Sequence, residues 1–381
     1  MTTVSTAAAA AIQVIFVSDD AALAPFLESW DALAVECLRP FCAPAWMLAW
    51  WREEAGPERA LRVGIVLDGD RPIGVAPFFA QTTYGLTELR LLSAGFSHRI
   101  GVLAAAGEEG RVAAALAPAL ASLEPTPASV VFEGVDAEDP WPELLADAWP
   151  GRRPRLRTDS IMAAPTIRLD GSEEAWLAQR SRNFRKLARR TGRRLEEEGV
   201  SERIGADPAA VNGFLTLHHQ RWRERGGSNL NERAERIVAA AATELGDSGR
   251  LEIVMLEGPD GPISAELMMR TGAAATVWAT GFDPAWARCA PGLQVRLVSL
   301  RAAAAHGVQL VDLGGGDDEY KQRMADADMP IAWRTLYPRG FRYPMIRLRF
   351  APKRLRQRLR RVARRLPERQ RNRLARLLRR G

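Results

Sequence analysis

The 381-residue chain is 47% apolar and 26% charged, long enough to bury two cores, and its composition excludes a disordered, collagen-like or disulfide-rich class. Its formal charge of +7 is unevenly spread: residues 351–381 hold fourteen Lys or Arg against the single acidic Glu368, a local +13, and subtracting this from +7 leaves −6 for the rest. The basic character therefore belongs to a tail, and nucleic acid is not an expected partner of the mildly acidic body.

In chain order, Ile12 to Val17 is a β-branched strand, Ala21 to Cys37 reads as a helix, and Pro44 to Trp51 starts another with proline in its first turn. Leu61 to Leu67 and Ile73 to Ala80 flank Asp68-Gly69-Asp70-Arg71 as a hairpin. Strands near Glu88 to Leu92 and Ile100 to Ala104, a helix over Arg111 to Leu123 and a strand over Ser129 to Glu133 complete the half. Gly151-Arg152-Arg153-Pro154-Arg155 then interrupts the periodicity, and a domain boundary is expected in Pro150 to Ala164.

The second half repeats this order. Pro165 to Leu169 is strand-like, and helices are predicted over Glu173 to Glu198, Ala209 to Arg225 and Asn231 to Leu245. Strands follow over Leu251 to Leu256, Ile263 to Arg270 and Ala274 to Ala279, then a helix over Gly292 to His306 and a strand over Val308 to Leu313. The expectation is a tandem α/β duplication with domains at 12–164 and 165–345. Beyond them, Leu355, Leu359, Val362 and Leu366, then Leu374, Leu377 and Leu378, space a basic amphipathic helical tail over 351–381, suited to an anionic membrane surface or an acidic protein partner.

Cys37, Cys42 and Cys289 lack metal-ligand spacing and read as buried small hydrophobes, so neither a disulfide framework nor a metal site is expected. His218 and His219 are helix neighbours on different faces and cannot share one metal. His219 reads as a packing histidine or a base; His98 and His306 carry no assigned role. No apolar run reaches the roughly 20 residues of a membrane span, and the Met1 to Ala11 segment has no basic leader, so a cytoplasmic location is expected, with a peripheral place at the inner membrane open to the tail.

Four local patterns carry a family resemblance. They are Phe41-Cys42-Ala43-Pro44-Ala45-Trp46 with Trp50-Trp51; Ile73-Gly74-Val75-Ala76-Pro77-Phe78; the basic helix from Arg182-Asn183-Phe184-Arg185 to Leu195-Glu196; and the series Phe282-Asp283-Pro284, Pro291-Gly292, Asp312-Leu313-Gly314-Gly315-Gly316, Tyr320-Lys321. In order and spacing they resemble the GNAT acyltransferase superfamily, specifically tandem-domain CelD/BcsL-type acetyltransferases of polysaccharide biosynthesis and, more distantly, FemAB aminoacyltransferases. The chain departs from such relatives at Phe96-Ser97-His98-Arg99-Ile100, where an aromatic and an aspartate are expected.

The resemblance implies two GNAT-like α/β (α+β) domains, each a mixed central sheet flanked by helices. It also implies an acyl-CoA cosubstrate, most simply acetyl-CoA, and a small-molecule or glycan acceptor with an amine or hydroxyl. The donor pyrophosphate is expected at a helix start, on Arg288, Pro291, Gly292 and Leu293, with Arg185 and Arg189 as a further anion cradle. A solvated basic face and an ordinary Pro-Gly turn are the plain alternatives.

Acyl transfer needs a base, a donor to the carbonyl oxygen and an acid for the leaving thiolate. Asp283 and Glu266 are the candidate bases, Asp283 having the alternative of capping its own turn, and Tyr320 with Lys321 adjacent is the candidate acid. Trp222, Gly315, Gly316 and Asp317 are expected at the acceptor, the glycine run competing with a plain turn capped by Asp317. Two other functions fit the same residues: a FemAB-like aminoacyl-tRNA-dependent transferase, and a noncatalytic scaffold in polysaccharide biosynthesis.

Overall fold

The computed structural model describes residues 12–223, 230–316 and 318–339. Two mixed sheets organise them. The first holds β1 (Ile12–Val17), β2 (Arg59–Asp68), β3 (Arg71–Thr83), β4 (Leu86–Leu91), β5 (Leu103–Ala104), β6 (Ser129–Asp136) and β7 (Arg155–Met162). The second holds β8 (Pro165–Arg168), β9 (Ser201–Gly205), β10 (Leu251–Gly258), β11 (Gly261–Thr271), β12 (Ala274–Phe282), β13 (Leu310–Asp312) and β14 (Ala327–Asp328). The last strand, β15 (Ile331–Tyr337), returns to the first sheet and sits between β6 and β7.

Strand order is β1-β2-β3-β4-β6-β15-β7, with β5 on β3, and β14-β8-β13-β12-β11-β10-β9. Each sheet contains one parallel pair, β4 with β6 and β12 with β13, and every other pairing is antiparallel. A parallel pair cannot be closed by a hairpin, so each needs a crossover, and both crossovers carry a helix: α3 (Glu109–Ala121) in the first lobe and α9 (Pro291–Ala305) in the second. The duplicated mixed α/β architecture expected from the sequence is present.

The remaining helices cover the sheets. They are α1 (Leu27–Glu36), α2 (Pro44–Glu54) and α4 (Trp141–Asp147), then α5 (Glu173–Ala178), α6 (Arg182–Glu197), α7 (Pro208–Trp222), α8 (Glu232–Leu245) and α10 (Glu319–Met324). The single helix predicted over Glu173 to Glu198 is two, because Ser181 caps a new start by accepting the Phe184 amide at 3.2 Å, as Ser172 does from Ala175.

Two other differences concern the boundary. The stretch read as a linker contains β7, an edge strand whose alternating charges resemble a loop, and residues 331–337 complete the first sheet although they fall inside the span 165–345. The lobes also share a core, in which Trp46, Trp50 and Phe79 belong to the same buried cluster as Phe214, Ile237 and Met255. The 351–381 tail and the end of that second span lie outside the described residues.

Strand β12 packs closely on α7. A Cβ added to Gly281 would stand 2.4 Å from the His218 backbone nitrogen and 2.6 Å from the Leu217 carbonyl carbon, so nothing larger than glycine fits without moving main chain. Gly281→Ala is expected to lower stability by about 3 kcal/mol or more in urea denaturation; an unchanged midpoint would mean that α7 does not press on β12.

Candidate active site between the two lobes

The second sheet opens where its parallel pair ends. β13 pairs with β12 only at Ala274 to Thr276 opposite Leu310 to Asp312, whereas β12 continues to Phe282. Beyond Thr276 one edge of β12 has no strand beside it among the described residues. A bulge sits at the same place: Leu267 faces Ala279 and Met268 faces Val277, leaving Trp278 without a partner on β11. The Trp278 ring is anchored across the lobes, its indole N–H donating to the Phe96 carbonyl at 2.9 Å and its face packing on Phe96 and Trp46.

A cavity of about 1020 Å³ fills this opening. One wall is Thr276, Trp278, Thr280 and Phe282 of β12; another is Pro291, Gly292 and Leu293 at the start of α9. Leu313, Gly314, Gly315, Tyr320 and Lys321 form the side beyond β13, and Phe41, Phe96 and His98 come from the first lobe.

The start of α9 offers fewer amides than a helix N-terminus normally does. Ala290 adopts a left-handed φ of 47°, Pro291 has no N–H, and the Leu293 and Gln294 amides both turn to the Ala290 carbonyl at 2.9 and 3.1 Å. That leaves the Gly292 amide. Arg288 lies outside the cavity wall, donating to Glu198 at 2.5 Å and 61% exposed along its side chain. Arg185 is turned back onto the Ala178 and Arg180 carbonyls at 2.9 and 2.5 Å, and Arg189 is exposed. Helix α6 presents Phe184 and Leu187 to the cavity instead, and Gln294 ties it to α9 through the Ala188 carbonyl and Thr191 hydroxyl.

The two candidate bases have other duties. Asp283 caps the short turn before α9 by accepting the Ala285 amide at 2.9 Å. Glu266 is fully buried, accepts Arg296 Nη2 at 2.5 Å and Nε at 2.7 and 2.8 Å, and accepts the Thr280 hydroxyl at 2.8 Å. Glu266 is thereby the counter-charge of a buried guanidinium and holds Arg296 in place.

Of the remaining expected residues, Tyr320, Lys321, Trp222, Gly315, Pro291, Gly292 and Leu293 meet on the cavity wall. Gly316 does not; its amide donates to the Ala163 carbonyl at 2.8 Å. Asp317 lies outside the described residues. Lys321 is nearly buried and donates to the Gly315 carbonyl at 2.9 Å; burial, countered in part by Asp318, lowers its pKa.

Several wall residues were missed from the sequence. Arg221 donates to the Thr280 carbonyl at 2.7 Å and stacks 5.0 Å from the Phe282 ring. His218 lines the cavity in place of His219, which instead pairs with Glu235 at 2.8 Å. Arg296 and His98 line it too. A signal existed for Arg296: one charge in the apolar run Val295 to Leu300 and one in the apolar strand Ile263 to Met269 are expected to find each other. The charged wall residues are Arg221, Arg296, Lys321, Arg323 and Asp318, with Arg296 paired to Glu266 and Arg323 to Glu319 behind the wall.

The lobes are locked beside the cavity by Arg99, at the position where the chain departs from the expected aspartate. Its guanidinium bonds Asp312 of the second sheet and Asp136 of the first, and donates to the Met329 carbonyl at 2.7 Å. Burial opposes its charge, but Asp312 and Asp136 outweigh this and raise its pKa. Asp312 also accepts the Gly314 amide at 2.8 Å, so the same carboxylate shapes the glycine loop. Among the described residues no group of three or more His, Cys, Asp or Glu is placed to hold a metal ion, and no helix is long and apolar enough to cross a membrane.

Two outcomes follow for this wall. Burial, with repulsion from His219 and Arg221, pulls the His218 imidazole down from its ordinary 6.5 to about 4. The folded protein therefore binds fewer protons than the unfolded one across that window, and its stability is complete above pH 6.5 and falls as pH drops toward about 4. Thermal midpoints across the window should show a decline that His218→Gln flattens; parallel profiles would remove His218 as its source. Glu266→Gln leaves Arg296 buried with no counter-charge and should cost about 3–5 kcal/mol, with Glu266→Met/Arg296→Met costing less than the sum of the single changes. Additive costs in chemical denaturation would refute the coupling.

Residues 182–322 match the family model described as the acetyltransferase (GNAT) domain. No curated protein matches the sequence. The solved structure of FemX is similar in fold, with a TM-score of 0.61 at 11% identity over 88% of this chain and 99% of that one. A conserved Bacteroides thetaiotaomicron protein of unknown function aligns with a TM-score of 0.53 at 9% identity over 86% of this chain and 100% of that one. Residues 182–322, most of the second lobe, are thus similar to an acetyltransferase (GNAT) domain, and the chain shares its overall fold with FemX.

Proposed function

We propose that the chain is an acyltransferase that moves an acyl group, most simply acetyl from acetyl-CoA, onto an amine or hydroxyl of a sugar, glycan or cell-envelope precursor in the interlobe cavity. It would act on the cytoplasmic side, peripheral to the inner membrane through its basic tail. The observation that carries the reading is the sheet opening past Thr276 and Asp312 beside the start of α9, which admits an extended donor along an unpaired strand edge.

In this reading the donor lies along β12 with its diphosphate at the Gly292 amide and the Arg221 guanidinium. The bulge at Trp278 frees main chain to receive the thioester oxygen as it gains charge. Neutral His218 takes the acceptor proton directly or through one water, the acceptor lone pair attacks the acyl carbon, and the C–S bond breaks. The departing thiolate takes its proton from the Tyr320 hydroxyl.

The single free amide at α9 favours a second reading. A FemAB-like aminoacyl-tRNA donor delivers its ester by docking elsewhere and asks less of that helix start. Calorimetry separates the two. Acetyl-CoA is expected to bind wild type, with affinity about tenfold or more weaker in Arg221→Met. No heat with acetyl-CoA, together with activity abolished by RNase, would establish the tRNA donor. Absence of both would leave the scaffold role.

A further inference from the structure

Behind the Arg221 and Gly292 mouth lies a second cationic group at the junction of the lobes. Arg296 is 2% exposed, gives Nε and Nη2 to Glu266, and leaves Nη1 buried with no hydrogen-bond partner among the described residues. Lys321 stands within electrostatic range of Arg296 and of His98. His98 is seated between two glycines: a Cβ on Gly134, at φ 68°, would meet its Nδ1 at 2.9 Å, and one on Gly315 would stand 3.6 Å from its Nε2. Its Nδ1 is also buried without a partner.

Three nitrogen-bearing side chains from both lobes thus line the cavity with Lys321 between the other two, its ammonium on the Gly315 carbonyl at 2.9 Å and His98 Nε2 on the same glycine. The energetics are unfavourable while it is empty. Burial lowers the pKa of both Lys321 and His98, Arg296 repels the Lys321 ammonium, and a buried donor with no acceptor costs about 1–3 kcal/mol. A bound oxyanion would offset the charge repulsion directly, meeting Lys321 and the His98 edge that faces Gly315, while the buried Arg296 Nη1 and His98 Nδ1 contribute through charge and not by contact. Arg221 is not part of this group, since it stacks on Phe282, which lies 3.7 Å from the Cβ position of Gly292 at the mouth.

We propose that His98, Arg296 and Lys321 form a subsite for an oxyanion, a carboxylate or a phosphate, carried by the acceptor. Phe96 and Trp278 beside it take the apolar or ring body of the same molecule. The assignment of the anion to the acceptor rests on the acyltransferase reading, in which the donor occupies the mouth. It narrows the acceptor class to acidic sugars, sugar phosphates or amino acids, and disfavours neutral or cationic amines.

The test is calorimetry on the full chain with phenyl phosphate, phenylacetate and benzyl alcohol, alone and with saturating CoA. At least one anion is expected to bind, also with CoA present, and benzyl alcohol about tenfold or more weaker. Which anion wins distinguishes phosphate from carboxylate. His98→Gln and Lys321→Met should each weaken the anion about tenfold while CoA affinity stays within about twofold, and Lys321→Gln repeats the measurement if Lys321→Met lowers the thermal midpoint. Equal binding of benzyl alcohol, no binding of either anion, mutual exclusion of anion and CoA, or indifference to all three variants would each overturn the subsite. Anion binding that the variants abolish, in a protein that does not bind CoA, would uphold the subsite and reject the CoA donor.

Discussion

Beside the core that the lobes share, the guanidinium of Arg99 ties the two sheets together at the cavity. It is held between Asp136 of β6 and Asp312 of β13 and reaches the Met329 carbonyl as well. A buried cation with two carboxylates is stable only if both stay in place, since removing either partner leaves charge uncompensated in low dielectric. The cavity is bounded by elements this residue joins: the first-lobe loop that carries Phe96 and His98, and the second-lobe loop that starts at Asp312. Neither lobe alone would have that wall.

Charge and shape divide the labour inside. Aromatic rings from both lobes, Phe41, Phe96 and Trp278 among them, make a rigid apolar lining. Polar groups aimed into it are mostly donors, and the buried acids nearby, Glu266 and Asp312, are consumed in holding Arg296 and Arg99. A site built this way is preorganised for negative charge without needing a full array of helix-end amides. That explains how a degenerate start to α9 can coexist with an otherwise open GNAT-type sheet.

The sequence was most legible where structure is local. Hairpins with Asp-Gly turns, Pro-led helices and the apolar runs of β10 to β12 declare themselves within a few residues of chain. Legibility failed where pairing is distant. β15 reads as nothing in particular until β6 and β7 are beside it, and β7 carries Arg155, Arg157 and Asp159 because it is an edge with an exposed face. Gly315, Tyr320 and Lys321, singled out from the sequence, meet on the cavity wall, whereas the pairing of Glu266 with Arg296 was not foreseen, because a carboxylate in a strand looks the same whether it is a base or a clamp. His98 was overlooked for a similar reason: nothing near it in sequence announces Gly134 or Gly315.

The return of β15 to the first sheet also bears on how the chain is made. During vectorial synthesis the N-terminal lobe emerges early, but the strand that joins β6 to β7 is translated almost two hundred residues after β6, by the numbering of the two strands. Until then β6 has a naked edge and β7 has no neighbour. The nascent first lobe is therefore an incomplete product that waits for the second, and the two cannot mature as independent units on the ribosome.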